Sequence, residues 1–273
     1  MKDTTKIYSI SASEHTAAMK EFVIGSWQPV EGEAIYVALE HPNWAPWLEA
    51  SAATLAGRAR VFPHGQLVIK DLAGQYAASL SMNQILWDGQ IAHLPSWDAV
   101  AGDPTDYSKT HNVMGNALVM MSVNVAPACK GKHMPTNLIA YAKVVANGLG
   151  MEHLLGSFRP SGFGQAKKAH GHDLNFGAYC WSKQEGTGKP IDPWLRSLAW
   201  NGLELLAVDP AAMTVKVSIG EFEEYKAQYK PDAWIEVAEG KWECEEVGTW
   251  NIDSNNGIAV YVESNVWGKI PLY

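Results

Sequence analysis

Residues 117–164 constrain the fold of this chain more than any other stretch of its sequence. Residues 118–125 form an apolar run rich in valine and methionine, which is typical of a buried central strand. A helix is predicted over 135–150, because Pro135 suits a first turn, apolar residues recur at helical spacing and Gly150 suits the C-terminal cap. A second buried strand is predicted at 153–158. The segment therefore predicts a strand, a loop, a helix and a second strand in succession.

Polar residues on these two strands point to a site. Ser122 and Asn124 interrupt the first apolar run, and they share one face because strand side chains alternate. One interpretation is that both bond to backbone or water. The other is that the strand separates from its neighbour there and lines a site. Arg159 also has two interpretations, as a bidentate partner for a substrate carboxylate or phosphate, or as a structural ion pair with an acidic residue of the segment 87–116.

A basic loop connects the first strand to the helix. Pro127 ends the strand, since proline has no N–H to donate. A helix N-terminus presents free N–H groups and a positive dipole, which together hold phosphate. A solvated connection with no ligand is the alternative. The candidate phosphate-binding residues are Lys130, Gly131, Lys132, His133 and Met134.

This order of elements, with its Val-x-Pro and its basic glycine loop, resembles the acyl-CoA-binding motif of the GNAT acyltransferase superfamily. The loop in that superfamily usually reads Gln/Arg-x-x-Gly-x-Gly/Ala. Here Lys130 keeps the basic first position, and His133 and Pro135 replace the two glycine positions. The stretches NQILWDG, LPSWD, GNALVMMSVNVAP, GSFRPSGFG and DPWLRSLAWNG resemble a branch that includes GNAT-like domains of polyketide loading modules. The resemblance covers roughly residues 70–215.

The resemblance implies a mixed α/β (α+β) fold, in which helices flank a mostly antiparallel central sheet. The implied activity is direct transfer of an acyl group from an acyl-CoA such as acetyl-CoA to a small-molecule amine. Because the two glycines are missing, an enzyme acting on acyl carrier protein thioesters, by S-acyl transfer or malonyl decarboxylation, is an alternative. A non-catalytic binding module is a third possibility, since the tyrosine that protonates the leaving thiolate in many GNAT proteins is missing from helix 192–201.

The same resemblance implies roles for particular residues. The thioester would lie between the two strands, with the backbone at Val123 and Val125 contacting the cofactor and N–H groups near Asn124 and Val125 polarising the carbonyl. The candidate catalytic side chains are Ser122, Asn124, Arg159 and Tyr179. Tyr179 is included as the nearest substitute for the missing tyrosine.

Composition excludes several functional classes. The net charge of −8 argues against general binding of nucleic acid. No run of about 18 apolar residues predicts a membrane span, and the first residues lack the apolar core of a signal sequence. Three widely spaced cysteines predict neither a disulfide framework nor a zinc site, and they fit a reducing cytoplasm. His170, His172 and Asp173 lack a third ligand motif, so no metal is expected.

Several weaker predictions cover the rest of the chain. Trp44 and Trp47 are candidates to touch the acceptor, although packing between helices is the simpler explanation. The segment 87–116 is predicted to be a lid, and its His93 and the later His111 are candidate bases. The predicted helices are 13–23, 47–59, 175–184, 192–201 and 221–229. The predicted strands are 6–11, 34–39, 66–71, 75–85, 203–208, 214–218, 234–237, 242–247 and 258–262.

No internal repeat or linker marks a domain boundary. We expect a core over 1–213 and a β-rich C-terminal extension over 214–273 that packs on the core or on a second subunit. The second of these arrangements would make the protein a homodimer.

Overall fold

A computed structural model describes residues 21–103 and 106–272, and the strands within these residues form one sheet. The strand order is β1-β2-β3-β4-β5-β10-β9-β8-β7, and β6 pairs with β10. Only β4 and β5 pair in parallel among the described strands. The predicted mostly antiparallel sheet is thus confirmed. The strands are β1 Phe22–Ser26, β2 Gln66–Asp71, β3 Tyr76–Ile85, β4 Ala117–Val125, β5 His153–Phe158, β6 Glu204–Ser218, β7 Ile235–Ala238, β8 Lys241–Glu243, β9 Thr249–Asp253 and β10 Ile258–Ile270.

Helices flank the sheet, as predicted. Leu138, Ile139 and Ala142 are fully buried on one side of the longest helix, in the same core as β3, β4 and β5. No described helix has the length and apolar character needed to cross a membrane. The helices are α1 Gly32–Ile35, α2 Ala52–Val61, α3 Trp97–Ala101, α4 Met134–Gly148, α5 Phe163–His170, α6 Phe176–Trp181, α7 Pro193–Ala199 and α8 Ile219–Gln228.

Strand β10 connects the C-terminal strands to the rest of the sheet. Its residues 258–262 pair with β9, and its residues 266–270 pair with β5. On its other edge it pairs with β6 along nearly its whole length. The expected boundary between residues 213 and 214 falls inside β6, which is continuous. The C-terminal strands and the central strands are therefore hydrogen-bonded parts of one sheet.

The strand predicted at 34–39 is wrong, because this segment is helical. It comprises the end of α1 and a π-helical turn, Tyr36–Glu40. Helical spacing lets Ile35 and Leu39 bury the same face against Trp27 and Leu55. The opposite error occurs at residues 22 and 23, which were expected in a helix and lie in β1, paired with β2. The predicted strand 6–11 and residues 13–20 of the predicted helix lie outside the described residues.

Local patterns located other elements well. The predicted hairpin matches β2 and β3 to within one residue. The Asp192 side chain caps α7 by accepting from the Trp194 and Leu195 backbone N–H groups, as its N-cap position predicts. The helix predicted from residue 47 begins instead at Ala52, because Ser51 supplies the cap.

Candidate active site

The site forms where β4 separates from β5. Their parallel pairing runs from Ala117 with His153 only as far as Met120 with Gly156. At the same point the register between β3 and β4 shifts by one residue, so that Met121 is bulged. Because a bulge bends a strand and interrupts its pairing, the last residues of β4 turn away from β5. The interpretation that this strand separates from its neighbour and lines a site is supported.

A cavity of about 580 Å³ occupies the gap between the two strands. Its walls come from β4, the loop after β4, the end of β5, the starts of α3 and α7, and single residues of β6 and β10. The lining residues are Asn43, Trp44, Trp97, Met120, Met121, Ser122, Val123, Asn124, Val125, Cys129, Lys130, Gly131, Pro135, Ser157, Phe158, Arg159, Ser161, Pro193, Trp194, Met213 and Asn265. Aromatic and methionine side chains make most of this wall apolar.

Two backbone N–H groups of β4 are directed into the gap. The Ala126 N–H donates to the Ala77 carbonyl at 2.9 Å. This bond shows which alternate residues of the segment are hydrogen-bonded to β3. In such a ladder alternate residues bond to the partner strand, so Val123 and Val125 project their N–H and carbonyl groups away from β3. The Val125 carbonyl accepts from the Asn43 side chain at 3.1 Å on that side. The Val123 and Val125 N–H groups are thus available to polarise a carbonyl.

The loop before α4 forms one end of the cavity. Lys130, Gly131 and Pro135 line it. Gly131 has a φ of 81°, and His133 has a φ of 57°, the left-handed conformation that glycine favours. The backbone therefore makes the tight turn at His133, although this position is a glycine in the GNAT motif. Pro135 has no N–H, so this helix start offers one donor fewer to a phosphate than an ordinary residue would.

Three of the five predicted loop residues lie away from the cavity wall. The Lys132 ammonium lies 5.9 Å from the centre of the Phe22 ring. Met134 is fully buried in the main core. His133 is the N-cap residue of α4 and is exposed. Of the predicted set, Lys130 and Gly131 are the residues that contact the cavity.

The Asn124 side chain is a structural link in the wall. Its Oδ1 accepts from the Trp44 indole N–H at 2.7 Å, and its Nδ2 donates to the buried Glu40 carboxylate at 2.5 Å. Trp44 lines the cavity, whereas Trp47 packs among aromatic rings including Tyr229 and Trp250. Ser122 also lines the cavity, and its hydroxyl makes no hydrogen bond to another described residue.

Arg159 is both an ion-pair partner and a wall residue. Its Nε donates to Glu263 at 2.8 Å, and its Nη2 donates to Glu246 at 2.5 Å. Glu246 also binds Lys230 at 2.9 Å. Burial alone would raise the pKa of Glu246, but Arg159, Tyr229 and Lys230 outweigh it and lower that pKa to about 2. The partners lie on or next to the C-terminal strands, so the expectation of an acid from 87–116 is wrong.

Tyr179, His93 and His111 lie away from the cavity wall. The Tyr179 hydroxyl donates to Asp192 at 3.1 Å, which ties α6 to the cap of α7. His93 binds the exposed Asp88, and His111 binds Asn83. None of the three lines the cavity. The segment 87–116 contributes Trp97 to the wall instead.

Two polar residues of the site were missed from the sequence. The Ser157 hydroxyl donates to the Asp209 carboxylate at 3.2 Å, and the Trp97 backbone N–H donates to the same oxygen at 2.9 Å. Asp209 lies opposite Asn265 in the pairing of β6 with β10. Burial raises the pKa of Asp209 above its usual range. The available signal was an acid interrupting an apolar strand just before Pro210.

Acidic, histidine and cysteine side chains are the usual protein ligands of metal ions. Within residues 21–103 and 106–272, no three such residues gather closely enough to hold a metal ion. His172 binds Glu243 at 2.8 Å, which accounts for one of the two histidines singled out in the sequence.

Comparison with known proteins identifies the architecture. No protein-family model matches the chain, and no curated protein matches it in sequence. Among solved structures, the loading GNATL domain of CurA from Lyngbya majuscula superposes with a TM-score of 0.61 at 13% identity, over 92% of this chain and 98% of that one. This chain has a GNAT fold. The GphF GNAT-like decarboxylase in complex with isobutyryl-CoA also shares this GNAT fold, with a TM-score of 0.59 at 19% identity over 92% of this chain and 100% of that one.

Proposed function

We propose that this protein transfers an acyl group from the thioester of a phosphopantetheine arm, such as acetyl-CoA, directly to an amine. The observation that carries this proposal is the separation of β4 from β5, with the Val123 and Val125 N–H groups directed into the cavity between them.

Each part of the cavity has a role in such a transfer. The basic loop at Lys130 and Gly131 binds phosphate, and the arm extends along the open edge of β4. The Val123 and Val125 N–H groups stabilise the charge that develops on the thioester oxygen when the amine attacks. Apolar walls such as Trp97 and Met213 exclude water, which strengthens these hydrogen bonds and protects the thioester from hydrolysis.

The Cys129 thiol provides a direct test of occupancy. Cys129 lies in the cavity wall and is partly exposed, whereas Cys180 and Cys244 are buried, and burial with nearby negative charge raises their pKa to about 12. Alkylation by iodoacetamide should therefore occur first at Cys129. We expect acetyl-CoA to slow this alkylation at least roughly tenfold, and Lys130→Ala to weaken the protection severalfold.

Release of free CoA in the presence of a panel of amines then measures the reaction. Turnover that requires both acetyl-CoA and an amine supports the proposal and excludes a purely binding module. Failure of every acyl-CoA to protect Cys129 or to raise the melting temperature would overturn it.

A second function is supported by the composition of the loop. Pro135 removes a phosphate donor, and His133 places a side chain where close approach to a pyrophosphate favours glycine. The arm of an acyl carrier protein carries one phosphate and no nucleotide, so it needs fewer phosphate contacts from this loop. The two similar structures are named as a loading domain and a GNAT-like decarboxylase. Incubation with malonyl-loaded carrier protein would show loss of carbon dioxide by mass spectrometry, and an unchanged malonyl mass would remove the decarboxylase version.

A further inference from the structure

The cavity wall contains no acid or base of the usual kind. Among its described lining residues there is no aspartate, glutamate or histidine. Transfer to an amine nevertheless requires a proton acceptor, because the attacking nitrogen must lose a proton as the amide forms. Apart from the Cys129 thiol and the Lys130 amine, which belong to the phosphate loop, a proton acceptor must therefore be reached through a lining residue.

Four lining residues connect the cavity to a buried carboxylate. Arg159 binds Glu246 and Glu263, Asn124 binds Glu40, and both the Trp97 backbone N–H and Ser157 bind Asp209. An arginine stays protonated, and an amide or backbone N–H does not take up a proton at neutral pH. A hydroxyl is the one group of this set that accepts a proton while it donates its own.

We propose that Ser157 and Asp209 form a proton relay for the acceptor amine, an inference that rests on the acyl transfer proposed above. The N–C bond forms on the thioester carbon. The Ser157 hydroxyl takes the nitrogen proton and passes its own proton to the Asp209 carboxylate across the 3.2 Å hydrogen bond. The C–S bond then breaks, and the proton returns to the leaving sulfur. The products are an amide and a free thiol, so atoms and charges balance.

The surroundings of Asp209 suit this role. The Trp97 N–H fixes the carboxylate oxygen that faces Ser157, and the Asp209 side chain is only 7% exposed. Asp98 on α3 is a charged neighbour of Asp209, and Asp98 also lies near Glu263 on β10, which Arg159 neutralises. Burial raises the pKa of Asp209, which makes its carboxylate a better proton acceptor near neutral pH.

The experiment compares two variants at the relay with the wild-type protein over a range of pH. Asp209→Asn and Ser157→Ala should each lower kcat by roughly 100-fold or more, and each should abolish the acid limb of the kcat profile. The KM for acetyl-CoA and the protection of Cys129 should stay unchanged, because neither residue contacts the phosphate loop. Ser157→Thr keeps the hydroxyl and should retain activity within about tenfold of wild type.

Asp98→Asn is the matched control. Asp98 is a half-buried acid close to Asp209, but its carboxylate accepts from the Thr214 backbone N–H and touches no lining hydroxyl. This variant should keep the acid limb and move it to lower pH, since a neighbouring negative charge is removed.

The outcomes separate the relay from the underlying reaction. Wild-type turnover together with an Asp209→Asn variant that keeps kcat and its acid limb would overturn the relay and leave the acyl transfer standing. Loss of activity in Ser157→Thr as complete as in Ser157→Ala, with Cys129 still protected, would also overturn it. Absence of turnover in the wild-type protein with every amine would overturn the proposed transfer, and the relay with it.

Discussion

The Asn124 side chain connects a buried carboxylate to the wall of the cavity. Glu40 is 2% exposed, and it accepts from the Asn124 amide and from the Ala50 backbone N–H. Burial raises the pKa of Glu40, against the opposing effect of these hydrogen bonds and of Arg58. The other end of the Asn124 amide accepts from the Trp44 indole, which forms part of the cavity wall. A single amide therefore sets both local stability and the shape of the cavity.

Asn124→Leu is expected to destabilise the protein by about 3 kcal/mol. The change leaves the Glu40 Oε2 oxygen and the Trp44 N–H without the Asn124 amide as their partner, and an unsatisfied buried polar group costs roughly 1–3 kcal/mol. Urea unfolding measures the difference. Asn147→Leu is the control, because Asn147 is exposed on α4 and its replacement should change stability by less than about 0.5 kcal/mol. Equal stability of the two variants would contradict the role of Asn124.

The depressed pKa of Glu246 predicts a loss of stability in acid. Its value falls from 4.5 to about 2 in the folded protein, which corresponds to roughly 3 kcal/mol of stabilisation when the group is ionised. A lowered folded pKa means that this contribution is complete above about pH 4.5 and disappears as the pH falls through about 2. Urea unfolding at pH 5, 4, 3 and 2 should show the decline.

Glu246→Gln tests the assignment of that decline. This variant has no carboxyl at position 246 to titrate, so its stability should fall less steeply between pH 5 and pH 2. It should also be less stable than wild type at pH 7, because Arg159 and Lys230 each lose a charged partner. Parallel curves for the two proteins would show that the acid sensitivity comes from other groups.

At the scale of secondary structure, the start of α4 carries the proposed phosphate site. The helix begins at the mouth of the cavity, and its dipole and first N–H groups favour an anion there. Pro135 withholds one of these donors, and the left-handed His133 supplies the turn. On the proposed function, we expect this loop to bind a single phosphate, and to bind a pyrophosphate less tightly than a loop with glycine at both positions.

Pro135→Ala is expected to tighten binding of CoA about threefold to tenfold. The substitution restores an N–H at the second residue of the helix, and one added hydrogen bond at an exposed site contributes about 0.7–1.4 kcal/mol. Calorimetric titration with CoA measures the change. Pro193→Ala makes the same substitution at the start of α7 on the opposite wall, and it should leave the affinity unchanged. An affinity lowered by Pro135→Ala would show that the proline ring itself contacts the ligand.

At the scale of the whole molecule, the C-terminal strands and the central strands share one packed structure. Glu246, in the loop between β8 and β9, and Glu263 on β10 neutralise Arg159 at the end of β5. Gly164 on α5 lies against the backbone of residue 245, where an added Cβ would come within 2.0 Å of the Glu245 carbonyl oxygen. Contacts of this kind predict that the described parts unfold together.

Gly164→Ala should lower the whole unfolding transition by at least about 2 kcal/mol, since the backbone must move to admit the methyl group. Gly148→Ala is the control: Gly148 is the last residue of α4, nothing lies within 4 Å of an added Cβ, and alanine favours the helix. Calorimetry should show one unfolding transition for each variant. Its temperature should be lowered in Gly164→Ala and should not be lowered in Gly148→Ala. A separate early transition, with the rest of the profile unchanged, would show that the C-terminal strands form an independent unit.

The sequence by itself determined the elements whose signals are local. Three examples are the apolar run of β4, the hairpin of β2 and β3, and the Asp192 cap. Each depends on residues close together in the chain, so its pattern can be recognised without a structure. The GNAT fold was expected from the resemblance of residues 70–215 to that superfamily, and the basic loop was evident from Lys130 and Lys132. The segment 34–39 was misjudged because its apolar residues suit a strand or a short helix equally, and only packing against Trp27 and Leu55 selects the helix.

Only the tertiary structure decided the roles of the polar side chains. Asn124 and Arg159 both line the cavity, but their partners lie 84 to 104 positions away in the sequence. Asp209 reaches Ser157 across 52 positions through the pairing of β6 with β10. Whether a polar side chain is free to meet substrate depends on which distant groups already bond to it, because a buried polar atom must be satisfied wherever its partner lies in the chain. That information resides in the register and the bulge that bring β4, β5, β6 and β10 together, and no local pattern contains it.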